Sequence, residues 1–315
     1  MKKTVLVAGL MVSSLMASSY LMAANQPQPA ASQQVVKAAS KAPSQADVDA
    51  INAQIKKQQA LLKETNKQVI KGFSNVIKGM KLIGNGKNKE AISALEAATG
   101  EFDVALAANP KLGLIPIDGS IDVNEVVTTP AELKAQIKQA RKLLEDYKVQ
   151  AARAILEPLK DDIEATTVYL PMETYPDAIK EATKLLVAGD SNGAMEILKT
   201  ALSTMVSEST TVPLALVRAD RMIEDAAILD LEGKGKKDKE LALDLLSGAE
   251  EQLQFATLLG YTDKHSEEYK DIAKQIKELK KDIKGGNIVE RSYKKLKSSV
   301  KALLGKHSKE KSASK

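Results

Sequence analysis

The chain contains no cysteine and no tryptophan, only two histidines, and just 3% aromatic residues. Without cysteine there is no disulfide staple and no thiolate for catalysis or metal binding, so stability has to come from packing. Of the two histidines, His265 stands in the polar stretch TDKHSEEY at a helix start and His307 in a lysine-rich tail. Both read as solvated surface residues. Nucleophilic catalysis needs a base beside its nucleophile. G-x-S-x-G occurs once, at Gly189-Asp190-Ser191-Asn192-Gly193, but in the tight turn between two helices of a repeat and not between a strand and a helix. S-x-x-K occurs in the lysine-rich C-terminal stretch, as at Ser298–Lys301, where lysine is simply abundant; H-E-x-x-H does not occur. The expectation is a protein that is not an enzyme and that carries no cofactor and no metal. One stretch imitates a calcium loop, with oxygen ligands at Asp118, Ser120, Asp122 and Asn124. The glycine needed at its sixth position is Val123, and the glutamate needed at its twelfth is Thr129. The outward face of a β-strand accounts for the same alternation.

Long apolar runs are scarce too. The main one is residues 5–16, which follows Lys2 and Lys3 and precedes the small-residue site Met22-Ala23-Ala24. That order is the order of a secretory signal peptide, with cleavage expected after Ala24. The run is short for a membrane span. The expected mature protein is therefore exported, soluble and periplasmic.

The net charge of +5 is unevenly spread. Residues 284–315 hold ten Lys or Arg against Glu290 and Glu310. With those residues and the signal peptide set aside, 34 basic residues face 39 acidic ones, so an acidic body carries a basic tail. The basic balance belongs to the tail and gives no reason to expect nucleic acid.

What the chain has in quantity is Ala, Leu, Lys, Gln and Glu, all strong helix formers. It also has a repeat. Residues 137–156 align without a gap to residues 179–198, 42 positions on, with 9 of 20 identical. Each copy reads as helix, tight turn and second helix, the second opening at Ala152 or Ala194. A unit of that size cannot bury its apolar stripe alone, so copies must stack. Two degenerate copies flank the clear ones, over residues 76–95 and 214–255.

Residues 25–43 form a Gln/Ala/Ser/Pro-rich leader, expected to be disordered. From Ser44, with Asp47 at the capping-box position, apolar residues at 3–4 spacing predict one long helix of about 35 residues. Residues 112–127 alternate β-branched and polar residues around Asp118-Gly119, which predicts two short strands with a turn between them. Residues 165–172 predict a strand that pairs with them, and Ser209-Thr210-Thr211-Val212-Pro213 echoes Thr166-Thr167-Val168. Helices over 267–283 and 288–304, lysine-rich with strict 3–4 spacing, predict a C-terminal helical hairpin.

The string TTVYLPMETYPDAIKEATKLLVAGDSNGAMEILKTAL, with TVPLALVRADRMIEDA after it, resembles the YfdX family of exported proteobacterial proteins. The shared features are an extended segment ending in Leu170-Pro171, a helix start at Tyr175-Pro176, and a helix-Gly-helix hairpin with a Val212-Pro213-Leu214 link. The resemblance covers roughly residues 87–259. It implies a mostly helical periplasmic protein associated with stress or acid tolerance and brings no catalytic residues with it.

The expected architecture is mainly α, a repeat-like bundle of stacked helical hairpins. The extended links add a small β element. The expected segments are a signal peptide over 1–24, the leader over 25–43, a YfdX-like helical-hairpin domain over 44–263, the C-terminal hairpin over 264–304 and a disordered basic tail over 305–315.

Two clusters are candidate sites. Tyr169, Met172, Glu173 and Tyr175 surround Pro171 and Pro176; they either pack the link onto the repeats or line a groove for a peptide or small ligand. Arg218 and Arg221 stand among Asp220, Glu224 and Asp225; they either form internal ion pairs or present an arginine pair to an anion. The expected partners are protein clients or further subunits, in a homo-oligomer. The basic C-terminal helix is expected to pair within the chain in preference to lying on a membrane surface.

Overall fold

In a computed structural model of the protein, residues 2–6, 44–63, 65–232, 235–287 and 289–310 are described. The leader and the expected cleavage site after Ala24 lie outside them. Among the described residues, eleven helices and four strands follow in order. They are β1 (Lys2–Leu6), α1 (Gln45–Lys63), α2 (Lys67–Gly84), α3 (Asn88–Ala108), β2 (Leu114–Asn124), α4 (Pro130–Glu145), α5 (Val149–Leu156) and β3 (Asp162–Pro171). Then come α6 (Tyr175–Val187), α7 (Ser191–Ser203), β4 (Val206–Pro213), α8 (Leu214–Glu232), α9 (Lys236–Leu258), α10 (Glu267–Gly285) and α11 (Glu290–Glu310). The fold is mainly α with a small antiparallel sheet, as the composition and periodicity predict.

The repeat organises it. Three helical hairpins, α2–α3, α4–α5 and α6–α7, each end in a strand. Those strands, β2, β3 and β4, lie side by side and antiparallel, and β1, which ends no hairpin and comes from the residues expected to form the signal peptide, pairs with the outer edge of β2. The echoing links are therefore neighbours, with Thr166 opposite Ser209 and Ala165 opposite Thr210. A fourth hairpin, α8–α9, is followed by the hairpin α10–α11.

Two expectations change. Residues 112–127 make one strand, because Asp118-Gly119 is absorbed as a register shift between Pro116 and Asp118 and not as a turn. The long N-terminal helix is two helices. Asn66 leaves helical geometry, and its side chain caps α2 by accepting from the Gln68 N–H at 2.9 Å. The polar residues that interrupt the helix's apolar seam explain the break. Thr65 donates to the Pro116 carbonyl at 2.9 Å, and buried Gln58 donates to the Thr166 carbonyl at 3.0 Å and to the Thr167 hydroxyl at 3.1 Å. The seam meets sheet backbone there, where polar atoms satisfy the main chain and an apolar side chain could not.

Two large cores result. One joins α2, α3, α6 and α7 with Ile117, Leu170 and Met172. Small residues let its helices close up: a Cβ on Gly72 would sit 2.6 Å from the Phe102 ring, and one on Gly79 would sit 2.7 Å from Leu95. The other core joins α8, α9, α10 and α11 and takes Leu133 from α4. Tyr293, Leu296, Val300 and Leu303 of the basic C-terminal helix are buried in it. That helix continues to Glu310, beyond the expected end at Leu304. A small third cluster, Ile121, Ile163, Ala165 and Leu214, lies between the sheet and α1. Among the described residues no helix is long and apolar enough to cross a membrane.

At Gly119 a side chain of α1 lies directly against the sheet. A Cβ there would lie 1.8 Å from Gln58 Nε2. Gly119→Ala is expected to push Gln58 out of its two hydrogen bonds and to cost on the order of 1–3 kcal/mol, read as a lower urea midpoint at unchanged slope.

Candidate functional site

Arg218 is the most densely partnered charge in the molecule's interior. It stands on α8, whose buried stripe Leu214, Ala215, Ala219, Ile223 and Ala226 holds that helix against both sheet and helices. Its guanidinium reaches three other segments. Nε donates to both oxygens of Asp47, at 2.9 and 3.1 Å; Nη1 donates to Asp161 Oδ2 at 2.8 Å; Nη2 lies 3.7 Å from Glu125 Oε1. Asp47 comes from α1, Glu125 from the residues after β2, and Asp161 from the residue before β3. The Asp47 side chain is 3% exposed and that of Asp161 is 0%.

Local sequence puts each group in place. Asp47 is the capping-box acid: the Ser44 N–H donates to Asp47 Oδ2 at 3.0 Å, and the Asp47 N–H donates to Ser44 Oγ at 3.2 Å. The cap fixes the carboxylate that Arg218 then holds. Asp161 is fixed by its backbone. Its N–H donates to the Tyr261 hydroxyl at 2.9 Å, and its carbonyl accepts from the Leu214 N–H at 2.9 Å. Tyr261 in turn donates to Asp162 Oδ2 at 2.8 Å, and Asn124 donates to Asp162 Oδ1 at 2.8 Å.

One guanidinium faces three carboxylates, so the cluster carries excess negative charge in a poorly solvated place. Burial pushes the Asp161 carboxyl up to about 6, against the pull of Arg218, with Asp47 and Glu125 pushing the same way as burial. Asp161 Oδ1 has no hydrogen-bond partner. What the site can do chemically is take up one proton near pH 6 at a point where four segments meet.

The other sequence candidates are dispersed. Arg221 is half-exposed and pairs with Asp225 at 3.0 Å one turn on, so the two arginines do not converge on a common anion. Glu224 pairs with Lys297 of α11. Tyr175 and Met172 are buried in the core around α3 and α6. The Tyr175 ring lies edge-on to Phe102 at 5.9 Å, and its hydroxyl is buried without a partner. Tyr169 is half-buried on β3 and Glu173 is exposed. The link therefore packs onto the repeats: Met172 and Tyr175 enter the same core, while Tyr169 and Glu173 stay outside it, so the four do not line a common groove. Sequence reasoning missed Asp161, Glu125, Asp162 and Tyr261. A signal existed for one pair: two adjacent acids, Asp161-Asp162, open a β-branched run, and alternation along a strand sends one of two neighbours inward. Among the described residues, no group of His, Cys, Asp and Glu could hold a metal ion.

Residues 73–211 match a family model described as YfdX protein. The YfdX resemblance holds over this stretch. It runs from α2 to within β4 and takes in the three strand-ended hairpins and Asp161. Asp47 and Arg218 lie on either side of it, so the ion cluster ties the YfdX stretch to its flanks. Among solved structures, a crystal structure of YfdX from Salmonella Typhi aligns at 17% identity over 47% of this chain and 91% of that one, with a TM-score of 0.31. No curated protein matches the chain.

Two outcomes test the cluster. Arg218→Met leaves three carboxylates facing one another in the interior and should cost about 3–5 kcal/mol in urea unfolding. The pH dependence has a definite sign. The folded-state pKa of Asp161 is raised from its ordinary 3.8 to about 6, so between those values the folded chain holds the extra proton. Its contribution is most favourable below about pH 4, is lost as the pH rises to about 6, and then stays about 3 kcal/mol less favourable. In Asp161→Asn, the difference in stability from wild type should vary across pH 4–6 and be flat above it; a difference curve flat throughout excludes this titration.

Proposed function

We propose that the protein acts by contact and not by chemistry, as an exported, stress-associated interaction protein of chaperone-like type in the periplasm. The observation that carries this reading is the apolar surface left bare on a well-packed helical frame. An open depression of about 310 Å³ lies between α8 and α9, lined by Met222, Leu229, Leu241, Leu245 and Gly248 with Asp244 among them. Tyr147, Val149 and Val187 stand at hairpin tips, 92%, 57% and 65% exposed. Adaptable Met and Leu side chains beside a charged residue suit transient contact with exposed apolar segments of other chains. The signal-peptide pattern supports export, and the YfdX match supports the kind of protein.

A second reading, a binding module for a small molecule or peptide, moves from the Tyr169–Tyr175 link to the same α8–α9 depression, because Met172 and Tyr175 are core residues. A ligand of that kind should raise the melting temperature in a concentration-dependent way.

At stoichiometric amounts the purified protein should suppress light scattering from an unfolding client. Leu241→Lys places a charge on a half-exposed position in the depression. It should reduce that suppression by about threefold or more while shifting stability by no more than about 0.5 kcal/mol. Wild-type protein that leaves client aggregation unchanged overturns the chaperone-like reading.

A further inference from the structure

The three strand-ended hairpins bear the same apolar stripe, and only one leaves its two leucines exposed. In α6–α7 the stripe includes Ala182, Leu186, Ala194 and Leu198, all buried. In α2–α3 the corresponding positions are Gly79, Ile83, Ala91 and Leu95, again all buried. These two hairpins bury their stripes in one shared core, with α3 on α6 and α2 on α7. In α4–α5 the same positions are Ala140, Leu144, Ala152 and Leu156. The two alanines are buried within the hairpin, but Leu144 is 46% exposed and Leu156 is 40% exposed. The fourth hairpin, α8–α9, would be the matching mate. Its own stripe is covered by α10 and α11, and α4 joins that core through Leu133, at its foot.

A second, independent observation marks the same tip. Tyr147 sits in the left-handed region at φ 58°, the only described non-glycine residue with positive φ. The repeat-equivalent residue is Gly189, at φ 90°. A bulky side chain there costs conformational free energy, and Tyr147 is 92% exposed, so the single chain gains little from its ring. Exposed Val149 extends the patch.

We propose that the tip of the α4–α5 hairpin is a self-association surface, occupied by the same tip of a second copy about a two-fold axis. The mate of this stripe, wherever the chain shows it covered in the YfdX stretch, is a sibling hairpin. The sibling with its stripe bare is α4–α5 itself, so a second copy supplies it and the contact closes. Both signs of charge rim the patch; Lys148 and Asp146 pair at 3.8 Å within the chain, which leaves Arg141 and Arg153 to meet Glu145 and Glu157 of the second copy in an antiparallel approach. The apolar side chains present roughly 400 Å² per copy, and with the charged rim a symmetric contact reaches about 1,000 Å², the size at which specific interfaces begin. The inference deepens the interaction reading by naming a surface and a partner. It is tested without any client, so the two fail separately.

The experiment is sedimentation equilibrium of the purified protein and three variants over a micromolar concentration range. Tyr147→Gly installs the residue the sibling hairpin uses and relieves the backbone, so it should fold at least as stably as wild type. Leu144→Lys charges the bare stripe. Val104→Lys, at a 56% exposed position on α3, is the control. The expected result is a wild-type dimer whose dissociation constant rises at least about tenfold in Tyr147→Gly and in Leu144→Lys but changes by less than about twofold in Val104→Lys. A wild-type monomer at every concentration overturns the proposal. So does a dimer that Tyr147→Gly and Leu144→Lys leave within about twofold, or one that all three variants weaken alike.

Discussion

A single guanidinium joins parts of the chain that sequence keeps far apart. Arg218 on α8 meets Asp47 of α1, Glu125 beyond β2 and Asp161 ahead of β3. Remove it and the start of the N-terminal helix, the open end of the β2–β3 pair and the first turns of α8 keep their small apolar cluster but bring three carboxylates together with no cation between them. A buried ion pair adds little net stability, because desolvation offsets most of the attraction. What it supplies is register. The three acids approach one another around Arg218, so the ion cluster helps fix where α1 docks on the body. Gln58 and Thr65 then repeat the logic along the helix by satisfying sheet carbonyls at Thr166 and Pro116.

The cluster also contributes an acid-dependent part of the stability. Three carboxylates against one cation is more negative charge than a dry site tolerates, and the least solvated acid, Asp161, answers by holding its proton up to about pH 6. Protonation there lowers the local charge imbalance without breaking the contact between Arg218 and Asp47. This one site is thus relieved as the medium becomes mildly acidic, opposite in sign to the usual behaviour of salt-bridged carboxylates such as Glu224.

Repetition accounts for the rest of the architecture and for its surface. A hairpin that ends in a strand, used three times, builds three of the sheet's four strands and two sibling hairpin faces that bury each other. With an odd number of such hairpins one face is left over. The α8–α9 hairpin could have taken it, but the C-terminal hairpin covers that face first. The bare tip at Leu144, Tyr147 and Leu156 is therefore a consequence of counting as much as of composition, and Tyr147 in a left-handed turn marks it as more than a leftover.

Some of this was readable along the chain. The helix content, the 42-residue repeat, the helical hairpins and the strand character of the Thr-Thr-Val links follow from propensity and period, which are local. The YfdX resemblance rests on equally local strings such as Leu170-Pro171 and Tyr175-Pro176. Other features needed neighbours in space. Whether Asp118-Gly119 turns or stays in a strand depends on β3, which offers a continuous ladder. Whether residues 44–80 form one helix depends on the sheet carbonyls that Thr65 and Gln58 find. Whether Tyr175 lines a groove or fills a core depends on Phe73 and Phe102, whose rings come to it from α2 and α3. Arg218 was visible as a scarce, charged residue, but Asp161 and Asp47 lie 57 and 171 positions away from it, and only the folded chain brings them within reach. Periodicity determined what the elements are; long-range polar satisfaction and the order in which faces are covered decided where they sit and which surface remains.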